Sequence, residues 1–327
     1  KRIRARHRFA LTGTPVENRL SEIWSIFDFL MPGLLGSAAR FKERFELDIV
    51  GGNEQAAVRL KALIGPFMLR RLKSDVLQDL PDKLESTVLV PMTRKQEKLY
   101  YAHEQRLRES LAQRRAKAPR EDAQRKAGVK VLSELMRLRL ICCDPRLVFE
   151  NYEDASAKIE AIVDLVESAR NDGQKCLVFS QFTSFLALIA ERLAAVSMQF
   201  CMLTGSTPRK ERIAMANAFN DDDTQAFLIS LKAGGTGLNL TGASVVIHAD
   251  PWWNAAAQNQ ATDRAYRIGQ EKPVTVYKLI LKDTIEENLL KLQNAKLALA
   301  AQVVSEGMVS LGDLSQNELM ELFEQNP

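Results

Sequence analysis

The chain has 327 residues, with 45 Lys or Arg residues against 41 Asp or Glu residues, so its formal net charge is +4. Its 46% hydrophobic and 26% charged residues are ordinary for a globular protein, and the length allows two or more domains. No apolar run approaches the roughly 18 residues of a membrane span, and no signal-peptide pattern opens the chain. The sequence therefore predicts an intracellular protein without a membrane partner, in the cytoplasm or nucleoid of a bacterium or the nucleus of a eukaryote. Its four cysteines form no Cys-x-x-Cys pair, which argues against zinc and favours reduced thiols.

Helical patterns dominate the first quarter of the chain. Apolar residues recur at helical spacing over Ser21–Leu30, and Ser21 is the expected N-cap. Phe41–Phe45 and Ala56–Ile64 predict further amphipathic helices. An alternating segment, Glu85–Val90, then predicts a short strand.

A basic segment follows, with the pattern of two long helices. Thr93 is the expected N-cap of the first helix; the pattern breaks near Pro119 and resumes from about Val129 to Cys142. Arg94–Arg139 contains fourteen Lys or Arg residues against six Asp or Glu residues, a local charge of +8. Such a block is typical either of a solvated helix face or of a surface that follows phosphates.

The second half of the chain alternates between strand and helix patterns. Ile159, Ile162, Val163 and Val166 give Ala155–Arg170 one apolar face, which predicts an amphipathic helix. Five apolar runs have the length of buried strands: Lys175–Ser180, Phe200–Leu203, Ala226–Leu231, Ser244–His248 and Val276–Ile280. The helical segments between them make βαβ units, so the predicted fold class is α/β, with a doubly wound parallel sheet preceded by helices.

Three loops should leave this sheet at its carboxyl edge, where such sheets bind ligands. They are Ser180-Gln181, Thr204-Gly205-Ser206 and Lys232–Gly237. Their small and hydroxyl residues suit a groove that receives phosphates against the backbone. Trp252 and Trp253 admit two interpretations, burial against the sheet or contact with that groove.

Two arginines near the end of the sheet region stand out by their spacing. Arg264 and Arg267 are three residues apart, so on a helix they share one face and can point two guanidinium groups at one anion. A solvated helix face is the alternative interpretation.

Several of these segments together resemble the SWI2/SNF2 ATPases, a branch of the superfamily 2 helicases. Gln260–Gln270 resembles their motif VI, Ala233–Asn239 their motif V, and Leu11–Asn18 their motif III. The loops after the first two predicted strands resemble motifs IV and IVa, and Pro66–Lys73 resembles the linker element of the family. Ala255 and Tyr266 depart from the usual pattern, and neither change removes a charge.

The resemblance implies roles for individual residues. It implies that one strand of a DNA backbone is gripped by Ser180, Gln181, Thr204, Gly205, Ser206, Lys232, Gly234, Thr236 and Trp253. It implies contacts with ATP from Gly235, Gly237, Asn239, Arg264 and Arg267. Arg264 and Arg267 would be arginine fingers that reach the γ-phosphate, and Gln260 would orient the site.

Part of the ATP site of the family is absent from the sequence. No G-x-x-x-x-G-K-S/T loop and no DExH-type acidic box occur, so the phosphate cradle and the carboxylate for Mg²⁺ are lacking. We therefore expect the chain to begin late in a first RecA-like lobe. ATP and Mg²⁺ would need that missing N-terminal lobe in cis, with the metal ligands lying there and none here. The chain alone should be inactive.

The resemblance also implies a division into five parts. Residues 1–18 would end the first RecA-like lobe, and 19–92 would form a first helical protrusion and a linker. A basic second protrusion would occupy 93–154. Residues 155–284 would form the second RecA-like lobe, and 285–327 a brace helix and a tail.

The expected activity is that of a double-stranded DNA translocase or remodelling ATPase, for which a protein bound to DNA would be a further partner. Two alternatives remain open at this point. One is a strand-separating or RNA-acting helicase of superfamily 2, and the other is a catalytically inactive module that binds DNA or a partner protein.

Overall fold

A computed structural model describes residues 5–12, 20–69, 80–115, 121–154, 156–234, 237–252, 254–291 and 293. The chain divides into two compact units. The first contains the described part of Lys1–Gln78, and the second contains the described parts of Asp79–Trp252 and Ala257–Leu290. Each unit has its own hydrophobic core.

The first unit is a small helical body. Its helices are α1 (Ser21–Leu30), α2 (Ala38–Phe41), which continues through a π-helical turn (Lys42–Glu46) into α3 (Leu47–Val50), and α4 (Glu54–Ile64). Their apolar faces bury Ile23, Phe27, Phe41, Phe45 and Leu60.

The helices of this unit agree with the sequence, but one of the predicted caps is wrong. Asn53 caps α4, since its Oδ1 accepts hydrogen bonds from the backbone of Gln55 and Ala56. Ser21 is the first helical residue of α1 and not its cap, because the N-cap position belongs to Leu20, which makes no side-chain hydrogen bond there.

The second unit is built on a six-stranded sheet in which every paired strand is parallel. Its strands are β1 (Lys83–Val90), β2 (Cys176–Ser180), β3 (Phe200–Leu203), β4 (Ala226–Ser230), β5 (Val245–His248) and β6 (Val274–Leu281). Their order across the sheet is β1-β6-β5-β2-β4-β3. All residues of β2, β4 and β5 are buried, as expected for parallel strands covered on both faces. The predicted α/β class is confirmed.

Helices surround the sheet and connect its strands. They are α5 (Arg94–Arg115), α6 (Glu121–Cys143), α7 (Ala157–Asn171), α8 (Thr183–Ala195), α9 (Arg209–Asp221), α10 (Leu231–Gly234), α11 (Ala255–Thr262) and α12 (285–291). Within the part of the chain that the structure describes, none of them combines the length and the apolar character that a membrane crossing demands.

The basic segment forms the predicted pair of helices, α5 and α6, which pack against each other. Thr93 caps α5 as expected, because its Oγ1 accepts a hydrogen bond from the backbone of Gln96 at 3.3 Å. The break between the helices is shorter than the sequence predicted, since α6 begins at Glu121 and not near Val129. Cys142 and Cys143, at the end of α6, are fully buried.

Strand β1 has a place that the sequence did not indicate. The sequence assigned it to a linker, whereas the structure pairs it with β6 over eight positions, from Lys83 opposite Val274 to Val90 opposite Leu281. The sheet of the second unit therefore includes a strand that precedes the basic helices in the chain.

Candidate functional site

The three loops predicted to bind phosphates do leave one edge of the sheet. Strands β2, β4 and β3 are neighbours and run in the same direction, so the loops that follow them emerge side by side. This shared edge confirms the predicted arrangement of the loops. Their contacts with DNA stay predictions.

The loop after β3 is held in shape by its own side chains and by one arginine. Thr204 Oγ1 and Ser206 Oγ lie 2.8 Å apart, and the Thr204 amide donates to Thr207 Oγ1 at 3.1 Å. Arg212 of α9 donates from Nε to the Thr207 carbonyl at 2.7 Å and from Nη2 to the Gly205 carbonyl at 2.9 Å. Gly205 and Ser206 are left exposed. Arg212 therefore holds the backbone of this loop in place while Gly205 and Ser206 stay accessible to solvent, as a backbone-lined anion site requires.

The loop after β2 is organised by a carboxylate that the sequence did not single out, Asp250. The Ser180 hydroxyl donates to Asp250 Oδ1 at 2.5 Å, and Gln181 Nε2 donates to Oδ2 at 2.6 Å. Ser180 is fully buried, whereas Gln181 is partly exposed. The Ser180 hydroxyl is thus engaged inside the protein, and Gln181 is the member of the pair that reaches the surface.

The loop after β4 is described in part. Lys232 and Gly234 lie in the short helix α10. Gly235, Thr236 and Trp253 fall outside the described residues, as does most of the segment compared with motif III. Trp252 is partly buried and packs against the hydrophobic core of the second unit.

The described end of this loop borders a cavity. Gly237 adopts a positive φ of 71°, a backbone conformation that favours glycine. A cavity of about 300 Å³ lies between α9 and the loop, and its lining includes Gly237, Asn239, Arg209, Arg212 and Asn217. Two residues predicted to contact ATP, Gly237 and Asn239, therefore face open space beside two arginines.

Arg264 and Arg267 do not share a helix face, so that part of the prediction is wrong. Helix α11 ends at Thr262, and both arginines lie in the irregular turn that follows. The turn is fixed to the loop after β4, because the Leu240 amide donates to the Arg264 carbonyl at 3.0 Å. Arg267 Nη1 donates to the Leu238 carbonyl at 3.1 Å. A backbone hydrogen bond at Arg264 and a side-chain hydrogen bond at Arg267 therefore fix this turn to the neighbouring loop.

Gln270 is the residue that holds these two segments together, a role that the sequence did not reveal. It is 6% exposed, and its Nε2 donates to the carbonyls of Thr241, Ala243 and Ala265 at 3.2, 2.8 and 3.1 Å. One amide thereby joins the segments that resemble motifs V and VI. Gln260, predicted to orient the site, is exposed on α11.

The electrostatic environment of Arg264 suits an anion. Burial lowers the pKa of its guanidinium, the charge of Arg267 lowers it further, and Asp263 opposes the change. Its Nε is buried without an acceptor among the residues that the structure describes. A buried donor left unpaired is unfavourable, so an anion that accepts from it would be stabilised. The phosphate groups of ATP fit this arrangement.

No comparable binding site for Mg²⁺ occurs among the residues that the structure describes. The described ranges hold no group of three or more His, Cys, Asp or Glu side chains arranged to bind a metal ion.

Comparison with known protein families places two regions of the chain. Residues 1–147 match the model of the SNF2-related domain, and residues 157–269 match that of the helicase conserved C-terminal domain. The chain is 39% identical over 335 residues to the putative ATP-dependent helicase/translocase YwqA of Bacillus subtilis, covering 99% of this chain and 35% of that protein. It is 31% identical to the human SWI/SNF-related matrix-associated actin-dependent regulator of chromatin subfamily A member 1, covering 99% of this chain and 32% of that protein. The chain thus spans about a third of the length of these relatives.

Solved structures give the same picture. The Sulfolobus solfataricus SWI2/SNF2 ATPase core in complex with dsDNA is 35% identical, with a TM-score of 0.61 over 97% of this chain and 66% of that one. The C-terminal domain of the Sulfolobus ATPase is 28% identical, with a TM-score of 0.59 over 75% of this chain and the whole of that one.

Proposed function

Because this chain belongs to the SWI2/SNF2 family of ATPases, we propose that it is the C-terminal portion of an enzyme that uses ATP hydrolysis to move along double-stranded DNA. The observation that carries the proposal is the Arg264 environment. Its buried guanidinium, whose Nε has no acceptor among the described residues, lies beside a second arginine and is tied to the loop after β4.

In this proposal Arg264 and Arg267 are arginine fingers. They stabilise the negative charge that builds up on the γ-phosphate in the transition state. The P-loop that binds the rest of ATP belongs to a RecA-like lobe in cis that this chain does not contain. That lobe would also supply the ligands for Mg²⁺, which would neutralise phosphate charge when bound. Gly237 and Asn239 contact the nucleotide from the cavity side. Gly235 is a further proposed contact with ATP, and Gln260 orients the site.

The sheet edge is the proposed DNA-binding surface. Gly205 and Ser206 are exposed in a loop fixed by Arg212, and Gln181 reaches the surface beside it. Contacts from such loops go to the phosphate backbone, which gives position on the duplex and little base preference. Binding should weaken steeply with salt, by about 0.9 in log K for each phosphate neutralised and each tenfold rise in salt. A protein bound to DNA is a further proposed partner, by analogy with the human relative, whose name describes a regulator of chromatin.

The test is steady-state ATPase activity of the full-length protein that carries this chain. Activity is measured with duplex DNA, single-stranded DNA, RNA or no nucleic acid, for the wild type, Arg264→Ala and Arg267→Ala. We expect stimulation by duplex DNA and a fall in kcat of roughly 10³–10⁵-fold in each variant, the range that arginine fingers contribute elsewhere. Arg192→Ala, which removes a surface arginine paired with Glu160 on another helix, is the matched control.

Other outcomes would point elsewhere. Stimulation by RNA or single strands alone would indicate a strand-separating or RNA-acting helicase. An absence of turnover under all conditions would indicate a nucleic-acid-binding module. Full activity in both arginine variants would reject the finger assignment while leaving the translocase assignment in place.

A further inference from the structure

Arg139 is a large cation buried inside the second unit, one turn before the end of the basic helix α6. It is 1% exposed. Burying a guanidinium costs much free energy unless hydrogen bonds and charges replace its water. The groups that contact Arg139 must therefore offset the cost of its burial.

Those partners lie at the exits of two central strands. Arg139 Nη1 donates to Gln181 Oε1 at 3.1 Å, and Nη2 donates to the Pro251 carbonyl at 2.5 Å. Nη2 also lies 3.8 Å from Asp250 Oδ2, and the guanidinium carbon lies 5.5 Å from the centre of the Phe182 ring. The acceptors are 42 and 112 positions away in the chain. One guanidinium group thus joins α6 to the ends of β2 and β5.

The side-chain amide of Gln181 is held at both of its ends. Its Nε2 donates to Asp250 at 2.6 Å while its Oε1 accepts from Arg139. Its backbone amide also donates to Asp250 Oδ1, at 3.2 Å. Since the Ser180 hydroxyl is buried against the same carboxylate, Gln181 is the part of this loop whose position at the surface depends on Arg139.

We propose that Arg139 is a positioning residue that acts through Gln181, with Pro251 as its second anchor, and that it couples the basic α5–α6 pair to the sheet edge proposed to bind DNA. This inference rests on the proposed DNA-dependent function. Arg139 is too buried to touch DNA itself. Its effect passes to the loop after β2, because the hydrogen bond to the Pro251 carbonyl holds the guanidinium group in place while Gln181 accepts from it.

The proposal depends on the shape of arginine as well as on its charge. The planar guanidinium group donates to two acceptors in different directions, whereas a lysine ammonium group concentrates its charge and its donors on one nitrogen. Arg139→Lys keeps the positive charge near Asp250 and loses one of the two connections. It therefore perturbs positioning more than charge balance.

The experiment uses the full-length protein, with Arg139→Lys, Gln181→Ala and the double variant. Two quantities are measured for each, the duplex DNA concentration that gives half-maximal ATPase activity and kcat at saturating DNA. We expect Arg139→Lys to raise the half-maximal DNA concentration about tenfold, as for the loss of a hydrogen bond to a charged group, with a change in kcat below about twofold. In the Gln181→Ala background the same substitution should add less than about twofold, because both changes act on one contact.

A merely structural Arg139 would give a different pattern. Its replacement would lower the melting temperature and kcat together, and its effect on half-maximal DNA would be the same with or without Gln181; either result overturns the proposal. Arg192→Lys, in a surface pair with both nitrogen–oxygen distances under 3 Å, is the matched control.

Two further cases are separated by design. If Arg139→Lys does not fold, Asp250→Asn tests the position of Gln181 from the other end of its amide, because the new amide would face Gln181 Nε2. This variant should raise the DNA concentration that gives half-maximal ATPase activity. An unchanged value would overturn the proposal. If the wild type is not stimulated by duplex DNA, the proposed function fails first and this inference fails with it.

Discussion

His248, the last residue of β5, is buried where its protonation would be costly. Its Nε2 lies 3.0 Å from Thr262 Oγ1, and its ring stacks on Phe179 with centroids 5.7 Å apart. Burial, together with the charge of Lys278, lowers the pKa of His248 to about 3, while Glu85 opposes the shift. The folded protein therefore keeps this imidazole neutral in mildly acidic solution.

This lowered pKa predicts a loss of stability in acid. Above pH 6.5 the imidazole is neutral in both the folded and the unfolded chain, so the free energy of unfolding does not depend on it. As the pH falls from 6.5 toward 3, the unfolded chain binds a proton that the folded chain does not, and the free energy of unfolding decreases. The slope of the free energy of unfolding is up to about 1.4 kcal/mol per pH unit. Urea unfolding at pH 7, 6 and 5 should show a shallower pH dependence for His248→Gln than for the wild type. His103→Gln, at a half-exposed site, is the control; curves for His248→Gln that run parallel to the wild type would contradict the assignment.

Sequence reasoning at this scale found side chains but not their partners. Arg264 and Arg267 were identified, yet their helix was not formed, since hydrogen bonds to Leu238 and Leu240 fix them in a turn. In the sequence, Arg139 is one of fourteen basic residues in its segment, and only the fold shows that it is buried. Contacts across 42 or 112 positions leave no local pattern.

Whole elements were easier to predict than partners. The bounds of α1 and β3 are those predicted, because helical spacing and a short apolar run are local signals. The start of α6 was missed because the helical pattern breaks near Pro119 and resumes clearly only from about Val129, whereas α6 begins at Glu121. The pairing of β1 was missed because a parallel strand carries no sign of which neighbour it will meet.

The pairing of β1 with β6 is reinforced by a charge cluster whose effect is measurable. Glu85 lies 2.8 Å from Lys83 and 2.7 Å from Lys278 of β6. Although burial opposes it, the hydrogen bonds and charges of Lys278 and Lys83 lower the pKa of Glu85 to about 2.

Glu85→Gln should weaken the attachment of β1. The stabilisation from a lowered carboxyl pKa is present above about pH 4.5 and is lost as the pH falls toward 2. We expect a loss of at most about 1 kcal/mol at pH 7, because the pair is partly solvated. The variant should also lose less stability than the wild type between pH 4.5 and 2, as followed by denaturant unfolding. Asp154→Asn, which breaks an exposed pair with Lys95, is the control, and an equal effect there would argue against a special role for the cluster.

At the scale of the whole second unit, a buried ion pair connects distant parts of the chain. Lys158 of α7 lies 2.7 Å from Glu286 of α12, 128 positions away, and both side chains are fully buried. Lys158 also donates to the Ala249 carbonyl at 3.1 Å, and Glu286 accepts from the Leu281 amide at 2.8 Å. Burial disfavours the charged form of Lys158, but the carboxylate of Glu286 raises its pKa.

Breaking this pair from one side should be far more damaging than removing both charges. Glu286→Gln leaves Lys158 buried without its counter-charge, at an expected cost of about 3–5 kcal/mol. Adding Lys158→Met removes that charge and should restore most of the lost stability, since the side-chain amide introduced by Glu286→Gln can still accept from the Leu281 amide. Guanidinium unfolding of the two variants gives the comparison, and a double variant no more stable than the single one would contradict it.

The partner of β1 also has a consequence for how the protein is made. Glu85 leaves the ribosome 193 positions before Lys278, the residue that it meets across the finished pair. At about 5–20 residues per second, β1 waits on the order of 10–40 s for β6 to be synthesised. Throughout that interval the nascent chain carries an eight-residue strand without its neighbour, including Leu84 and Leu89, which stay exposed even in the finished sheet. Translation speed and chaperone access during those seconds therefore bear on the yield of this protein more than on its final stability.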